Sequence, residues 1–372
     1  MQVLNLTFQF AKNYGAILQA HALSSYIREE LKENCEIIQY WPEKSDASWR
    51  LYRNGWHPKV ILRNIYVFFN RKFIKETKKK NAIMAKAINE LLPLTKEKYD
   101  YTHIHENPPK ADAYICGSDQ VWNFVKCFDD PTYFFDFTKG MTNVRRIGYA
   151  PSIADPWPKS RWDEFKGYLS NMDFISVREK SDVEVVERLS GKHVTHVIDP
   201  VFLKSRDYWE NLAIEPDIKE PYIFCYFLGT NDLAVEMVNK VKTVTGCKIV
   251  HLNLNARDRF NSDYVFRAVS PQQFLGFIKN ATYVCTNSFH CSAFSIIFRR
   301  NYCVAPKSFA NARMESLQDM FGIGQRLFRD EMIRDMSLES LEIDYSNADK
   351  TFAPFEIISK GYLNNALYGE KD

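Results

Sequence analysis

The sequence predicts an α/β protein with two parallel-sheet domains, and three observations carry that prediction. Its apolar runs are of strand length and alternate with amphipathic stretches of helix length, the pattern of βα units. The chain has 372 residues, more than one ordinary core accommodates. A polar stretch with two prolines, residues 204–221, interrupts the alternation near the middle and has the character of a domain connection.

The first series opens with a strand at residues 3–8, a polar loop to Tyr14, and a helix in which Ile17, Leu18, Leu23, Tyr26, Ile27 and Leu31 approximate one stripe. A strand follows at 35–41, then a helical region at 58–92 rich in aromatics and bases. Residues 112–119 read as a strand ending in a Gly-Ser turn, and 145–153 and 172–179 as two more. Ser181 and Glu184 have the three-residue spacing of a capping box, and Gly191 sits where that helix should end. Residues 193–203 close this half. The second series runs from "YIFCYFLGT" through "CKIVHLNL", a helix from Pro271, "TYVCT", a helix after His290, and "NYCVAP". Both series are Rossmann-type. The implied organisation is a first domain over 1–205, a linker at 206–220, a second domain over 221–345, and a helix in 346–372 packing back on the first.

Composition narrows the function. Hydrophobic residues make up 45% and aromatics 15%, enough for packed cores. A net charge of +3 gives no electrostatic footprint for nucleic acid. The eight cysteines (Cys35, Cys116, Cys127, Cys225, Cys247, Cys285, Cys291 and Cys303) sit mostly in apolar runs, without a CxxC pair or a zinc spacing. With no signal-peptide pattern at the amino end and no run of about 20 apolar residues, a reduced, cytoplasmic protein is expected.

Ligands of open parallel sheets bind beyond the carboxyl ends of the strands. Five polar clusters have that address: Asn13-Tyr14-Gly15, Gly117-Ser118-Asp119-Gln120, Ser152, Arg178, and Asn287-Ser288-Phe289-His290. Each also has a plain reading as a turn, a helix cap or an exposed charge. Their repetition at strand ends points to an anion site instead, since helix N-termini donate N–H groups and a guanidinium grips phosphate with two hydrogen bonds. Asn311 and Arg313, before a later helix, and Arg326, after a Gly-rich turn, point the same way.

The ordered segments "NYGAILQAHAL", "CGSDQVWN", "IGYAPSIA", "SVREKS", "IDPVFL", "TNSFHCSAFSIIF" and "NARMESL" together resemble the polysaccharide pyruvyl transferase family, over about residues 5–330. The resemblance implies a GT-B-like fold, two Rossmann-like domains facing across a cleft. It implies transfer of the enolpyruvyl part of phosphoenolpyruvate, a co-substrate rather than a cofactor, onto two hydroxyls of a hexose. A galactose-type 4,6-ketal is expected, on a cell-surface polysaccharide or its lipid-linked precursor. The family's basic residue after a first-domain strand matches Arg178, and its histidine at the start of a second-domain helix matches His290. Characterised branches carry Arg-Leu-His where this chain has Ser288-Phe289-His290, so Arg313 is the candidate replacement cation.

The expected site therefore has His290, Asp119 and Arg178 as catalytic groups. Arg178, Ser288, His290, Asn311 and Arg313 are expected to bind the donor. Asn13, Tyr14, Gly15, Ser118, Asp119, Gln120 and Ser152 are expected to bind the acceptor. His290 suits general acid work or anion stabilisation, and Asp119 proton acceptance from a sugar hydroxyl. No metal is required. A nucleotide-sugar glycosyltransferase of the same fold and a non-catalytic assembly protein are the alternatives. The basic aromatic stretch 58–80 has two readings. Its aromatic face packs on the first domain with its bases solvated, or it lies at the anionic inner face of a membrane.

Overall fold

The computed structural model describes residues 1–42, 52, 54–125, 129–255, 257–307 and 311–371. Cys127, Phe309 and Ala310 lie outside the described residues, as do the side chains of Lys59 and Arg63. The chain divides into two compact units. One comprises Met1–Arg50, Lys86–Lys204 and Ala353–Asp372, the other Leu51–Ala85 and Ser205–Phe352.

From the amino end run β1 (Gln2–Leu6), α1 (Tyr14–Glu29), β2 (Asn34–Tyr40), α2 (Pro58–Phe69), α3 (Arg71–Leu91), β3 (Leu94–Tyr99), α4 (Tyr101–Glu106), β4 (Ala113–Cys116), β5 (Arg145–Gly148), α5 (Trp162–Leu169), β6 (Phe174–Val177), α6 (Val183–Ser190) and β7 (Val194–His196). Then follow α7 (Arg206–Leu212), β8 (Tyr222–Tyr226), α8 (Asp232–Thr245), β9 (Lys248–Leu252), β10 (Tyr264–Phe266), α9 (Pro271–Asn280), β11 (Tyr283–Thr286), α10 (Phe289–Ile297), β12 (Asn301–Val304), α11 (Ala312–Phe321), α12 (Asp330–Arg334), α13 (Leu338–Leu341) and α14 (Ala348–Tyr368).

The first unit holds a seven-stranded sheet of order β3-β2-β1-β4-β5-β6-β7, the second a five-stranded sheet of order β10-β9-β8-β11-β12. Every ladder is parallel. A parallel sheet covered on both faces needs strands apolar on both sides. That is why "AYIC", "YIFCY" and "YVCT" are continuous apolar runs, buried at every position. Strand order reverses between β1 and β4 in one sheet and between β8 and β11 in the other, which makes two Rossmann-like switch points.

Helix ends follow local chemistry. Ser270 and Gln273 form a complete capping box on α9, and Asn231 caps α8. Gly191 and Gly246 end α6 and α8 at φ 68° and 69°, where a Cβ would be strained. The box expected at Ser181–Glu184 is not formed. The Ser181 hydroxyl donates to Asp182 Oδ1, and α6 starts one residue later, from Asp182, without a side-chain cap.

Three segments differ from the sequence reading in their grouping or form. Residues 206–220 contain α7, capped by Ser205, whose Trp209 is fully buried and meets Phe294 edge-on at 5.0 Å. Trp209 is the fully buried residue of this helix, with Tyr208 and Leu212 partly buried beside it. Leu51–Ala85, with α2 and most of α3, groups with the second unit. The apolar stripe of α2 is exposed, with Leu62, Phe68 and Phe69 at 66, 64 and 78%. The carboxyl half of α14 belongs to the first unit, where Tyr362 Oη donates to the Gly148 carbonyl at 2.8 Å and Arg145 donates to the Ala366 and Gly369 carbonyls. Among the described residues, no helix is long and apolar enough to cross a membrane.

Candidate functional site

At the switch point of the first unit, β1 and β4 end side by side. Gly117 N–H donates to the Leu6 carbonyl at 3.0 Å, and Thr7 Oγ1 to the Ser118 carbonyl at 3.1 Å. Gln19 on α1 reaches back to Thr7 Oγ1 at 2.9 Å. Gly117 is demanded by this closeness, because a Cβ there would lie 2.6 Å from Asn5 Oδ1. Asn5 is fully buried, and neither atom of its carboxamide has a hydrogen-bond partner among the described residues. A buried amide with nothing to bond costs free energy, which makes Asn5 a candidate site residue at this strand end.

Beside it, Ser118 Oγ donates to Asp199 Oδ2 at 3.0 Å, and Arg178 Nη1 donates to the same oxygen at 2.9 Å. Arg178 Nε donates to Glu179 Oε1 at 2.9 Å. The guanidinium is 2% exposed, and Asp199 is fully buried. Burial alone would lower the Arg178 pKa, but Glu179, Asp199 and Asp119 outweigh it and hold the charge firmly. Arg178 therefore meets two carboxylates before any ligand, which differs from the expected open grip on phosphate. Burial and the neighbouring Glu179 push the Asp182 carboxyl up to about 7.

Asp119 adopts φ +82°, accepts from Gln120 N–H at 2.9 Å, and pairs by a β-bridge with Pro151. Ser152 N–H donates to the Asp119 carbonyl at 2.9 Å, while the buried Ser152 Oγ has no partner among the described residues. Ala150 and Ala154 flank it at φ 53° and 60°. Three non-glycine residues in left-handed conformations, in two adjoining loops at strand ends, store strain of the kind found at ligand sites. Asn13 caps α1 by accepting from Gly15 N–H at 2.9 Å and Ala16 N–H at 3.4 Å, so its side chain has a structural task; Tyr14 is buried in the first turn.

In the second unit, "TNSFH" occupies the other switch point. Thr286 Oγ1 donates to the Tyr226 carbonyl at 2.6 Å. Asn287 accepts from Leu228 N–H at 2.7 Å and donates to the Gly229 carbonyl at 2.9 Å, clamping the loop after β8 to the end of β11. Ser288 caps α10, accepting from Cys291 N–H at 3.5 Å. His290, 8% exposed, stands in the first turn, with Phe289 edge-on at 5.3 Å. The polar residues after the strand thus divide into a clamp, a cap and a histidine at a helix N-terminus. That end of a helix favours anions.

Arg313 is buried in the first turn of α11, which packs beside α10. Asn311 accepts from Lys307 N–H at 3.0 Å and donates to the Lys307 carbonyl at 2.8 Å. Its amide closes a loop instead of pointing to a ligand. Arg326 departs from the reading as an anion ligand, because its guanidinium is committed to the carbonyls of Tyr302, Ser340 and Leu341.

Sequence reasoning passed over Asn5, Asp199 and Glu179, which lie inside or beside apolar runs where a polar residue reads as noise. It also passed over a His251–Asp258 pair at the end of β9, bonded at 2.8 Å. Burial lowers the His251 pKa against the opposing pull of Asp258. The signal available was position, a polar residue in the last places of an apolar strand.

The comparisons with known proteins agree with this architecture. The family model for polysaccharide pyruvyl transferase matches residues 13–301. No curated protein sequence matches the chain. Among solved structures, a putative UDP-N-acetylglucosamine 2-epimerase from Listeria monocytogenes aligns at 10% identity over 98% of this chain and 95% of its own, with a TM-score of 0.54. The S. aureus MnaA–UDP co-structure aligns at 12% identity over 100% and 98%, with a TM-score of 0.55. At such identities the likeness is one of fold, and that fold is GT-B-like. With its two switch-point sheets and most of its length matched by the family model, the chain belongs to the polysaccharide pyruvyl transferase family of transferases.

Proposed function

We propose that the protein transfers the pyruvyl group of phosphoenolpyruvate to two hydroxyls of one hexose, a galactose-type sugar bridged at positions 4 and 6. The observation that carries this reading is a histidine in the first turn of a capped helix at a sheet switch point, in a chain of this family. The acceptor is a polysaccharide repeat on a lipid-linked carrier, which places the enzyme at the cytoplasmic face of a membrane.

The donor half of the chemistry falls to the second unit. Arg313, the N–H groups at the start of α10 and the Ser288 hydroxyl bind phosphate and carboxylate, with Asn311 fixing the loop that leads into α11. His290 delivers a proton to the methylene carbon of phosphoenolpyruvate, leaving an oxocarbenium-like centre at the neighbouring carbon. A sugar hydroxyl adds there, inorganic phosphate departs, and a second hydroxyl of the same sugar closes the ketal. One hydroxyl proton replaces the proton given to carbon, and the other leaves with phosphate, so the reaction balances.

The acceptor half falls to the first unit. Ser118, Gln120, Ser152 and the backbone at the Asn13–Gly15 start of α1 bind hydroxyls, and Asp119 takes the proton from the attacking one. Arg178, already matched by Asp199 and Glu179, acts as a positioning residue that holds the Ser118 hydroxyl. The test is incubation with phosphoenolpyruvate and a panel of galactosides, glucosides and mannosides, followed by mass spectrometry and phosphate release. A pyruvylated galactoside with stoichiometric phosphate is expected. Sugar transfer from a nucleotide sugar, indifferent to phosphoenolpyruvate, would replace this reading with glycosyl transfer.

A further inference from the structure

Helix α2 is amphipathic with its apolar stripe turned outward. Ile61, Ile65 and Phe68 recur at three- and four-residue spacing, as do Leu62, Tyr66 and Phe69, and all six are exposed. Among the described side chains of this helix, Val67, on another face, is the one that is buried, at 2%. Trp56, just before the helix, is 93% exposed. Scattered exposed apolar residues are ordinary, but a continuous stripe along a whole helix marks an interaction surface.

The next helix supplies the charge. Arg71, Lys72, Lys75, Lys78 and Lys79 on α3 are all exposed. Between Arg71 and Lys86 there are seven bases and one acid, Glu76. That acid is engaged by Arg267 at 2.8 Å, and the other acid of α3, Glu90, pairs with Lys86 at 3.6 Å near the carboxyl end, so Arg71, Lys72, Lys75, Lys78 and Lys79 concentrate positive charge on the first half of the helix. Apolar rings beside a dense run of bases complement a surface that is oily within and anionic at its edge. A protein partner would need matching acids, whereas an anionic bilayer offers both features at once, with Trp56 suited to the interface.

We propose that α2 and the first half of α3 form a docking face for an anionic lipid bilayer, the aromatic stripe entering the headgroup layer and the bases meeting lipid phosphates. Docking of this face on a bilayer does not depend on the reaction assigned above. It is tested with the full-length protein by co-sedimentation with vesicles of phosphatidylcholine alone or mixed with phosphatidylglycerol, at low and high salt. Sedimentation velocity without vesicles runs in parallel. Two variants are compared, Phe68→Ser/Phe69→Ser and Lys75→Glu/Lys79→Glu, with thermal midpoints confirming that each is folded. Binding to the anionic vesicles at low salt is expected, falling by roughly fivefold or more for each base lost and fading as salt screens the charges over about 10 Å at 0.1 M. The serine variant should also lose binding. Failure to bind anionic vesicles at low salt would overturn the proposal, as would equal binding by the charge-reversed variant. A dimer that dissociates in the serine variant, without vesicle binding, would assign the stripe to a second copy of the chain instead.

Discussion

Between β1 and β4, the first unit surrounds one guanidinium, Arg178, with Asp199, Glu179 and nearby Asp119. Between β8 and β11, the second unit places Asn287, Ser288 and His290 at a helix N-terminus, with Arg313 on the adjacent helix. The topological address is the same and the electrostatics are opposite. The first cluster carries more carboxylates than cations, so it suits neutral polyols and proton acceptance. The second has N–H donors at the start of α10, one cation, Arg313, on the adjacent helix and no carboxylate among the residues named, which is the balance that the proposed anionic donor requires. A shared Rossmann-like frame therefore does not set what a switch point binds. The few side chains after each strand do.

The contrast can be broken by mutation, and the largest expected effect is at His290. His290→Ala should lower turnover by about a hundred- to ten-thousand-fold, the usual range for a general acid, with little change in thermal midpoint. Loss of stability with retained turnover would make the residue structural. Next is the charge balance of the first unit. Asp199→Ala removes one of the two carboxylates bonded to the buried Arg178 guanidinium and should cost roughly 3 kcal/mol in urea unfolding, while Arg178→Met/Glu179→Gln/Asp199→Leu, which leaves none of these charges unpaired, should recover much of it. An inexpensive Asp199→Ala would mean that Arg178 is not held as described.

Arg313→Ala sharpens the donor side. Weaker phosphoenolpyruvate binding by about 1.5–3 kcal/mol is expected from calorimetry, the scale of a charged hydrogen bond. Unchanged affinity would move the donor cation elsewhere. The last expectation concerns pH. Asp182 is raised from its ordinary 3.8 to about 7 in the folded protein, so the folded state holds this proton more tightly than the unfolded chain. Its contribution is full below about 4 and is lost as pH rises toward 7. Asp182→Asn should flatten that decline in thermal midpoints measured across the same window, and an unaltered slope would remove the carboxyl from the account.

Much of the fold was legible because buried parallel strands must be apolar on both faces, and such runs stand out in sequence. Strand β3, "LTKEKY", was not, because its middle residues face solvent and break the run. The site was legible where polar residues follow a strand, as in "CGSD" and "TNSFH". It was not legible at Asn5 or Asp199, whose neighbours are apolar. Nor could sequence reveal that Asn311 and Arg326 are occupied by backbone groups, since those partners are set by how loops fold back.

The order of βα units, the cap at Ser288 and the glycine stops at Gly191 and Gly246 follow from local chemistry, so the sequence by itself determined them. Long-range packing decided the rest. It brought Asp199 against Ser118 and Arg178, 81 and 21 residues away in the chain. It left the α2 stripe exposed although its composition is that of a core. The physical reason is that a helix's amphipathic pattern says it has an apolar face, while only the surrounding units decide whether anything covers it.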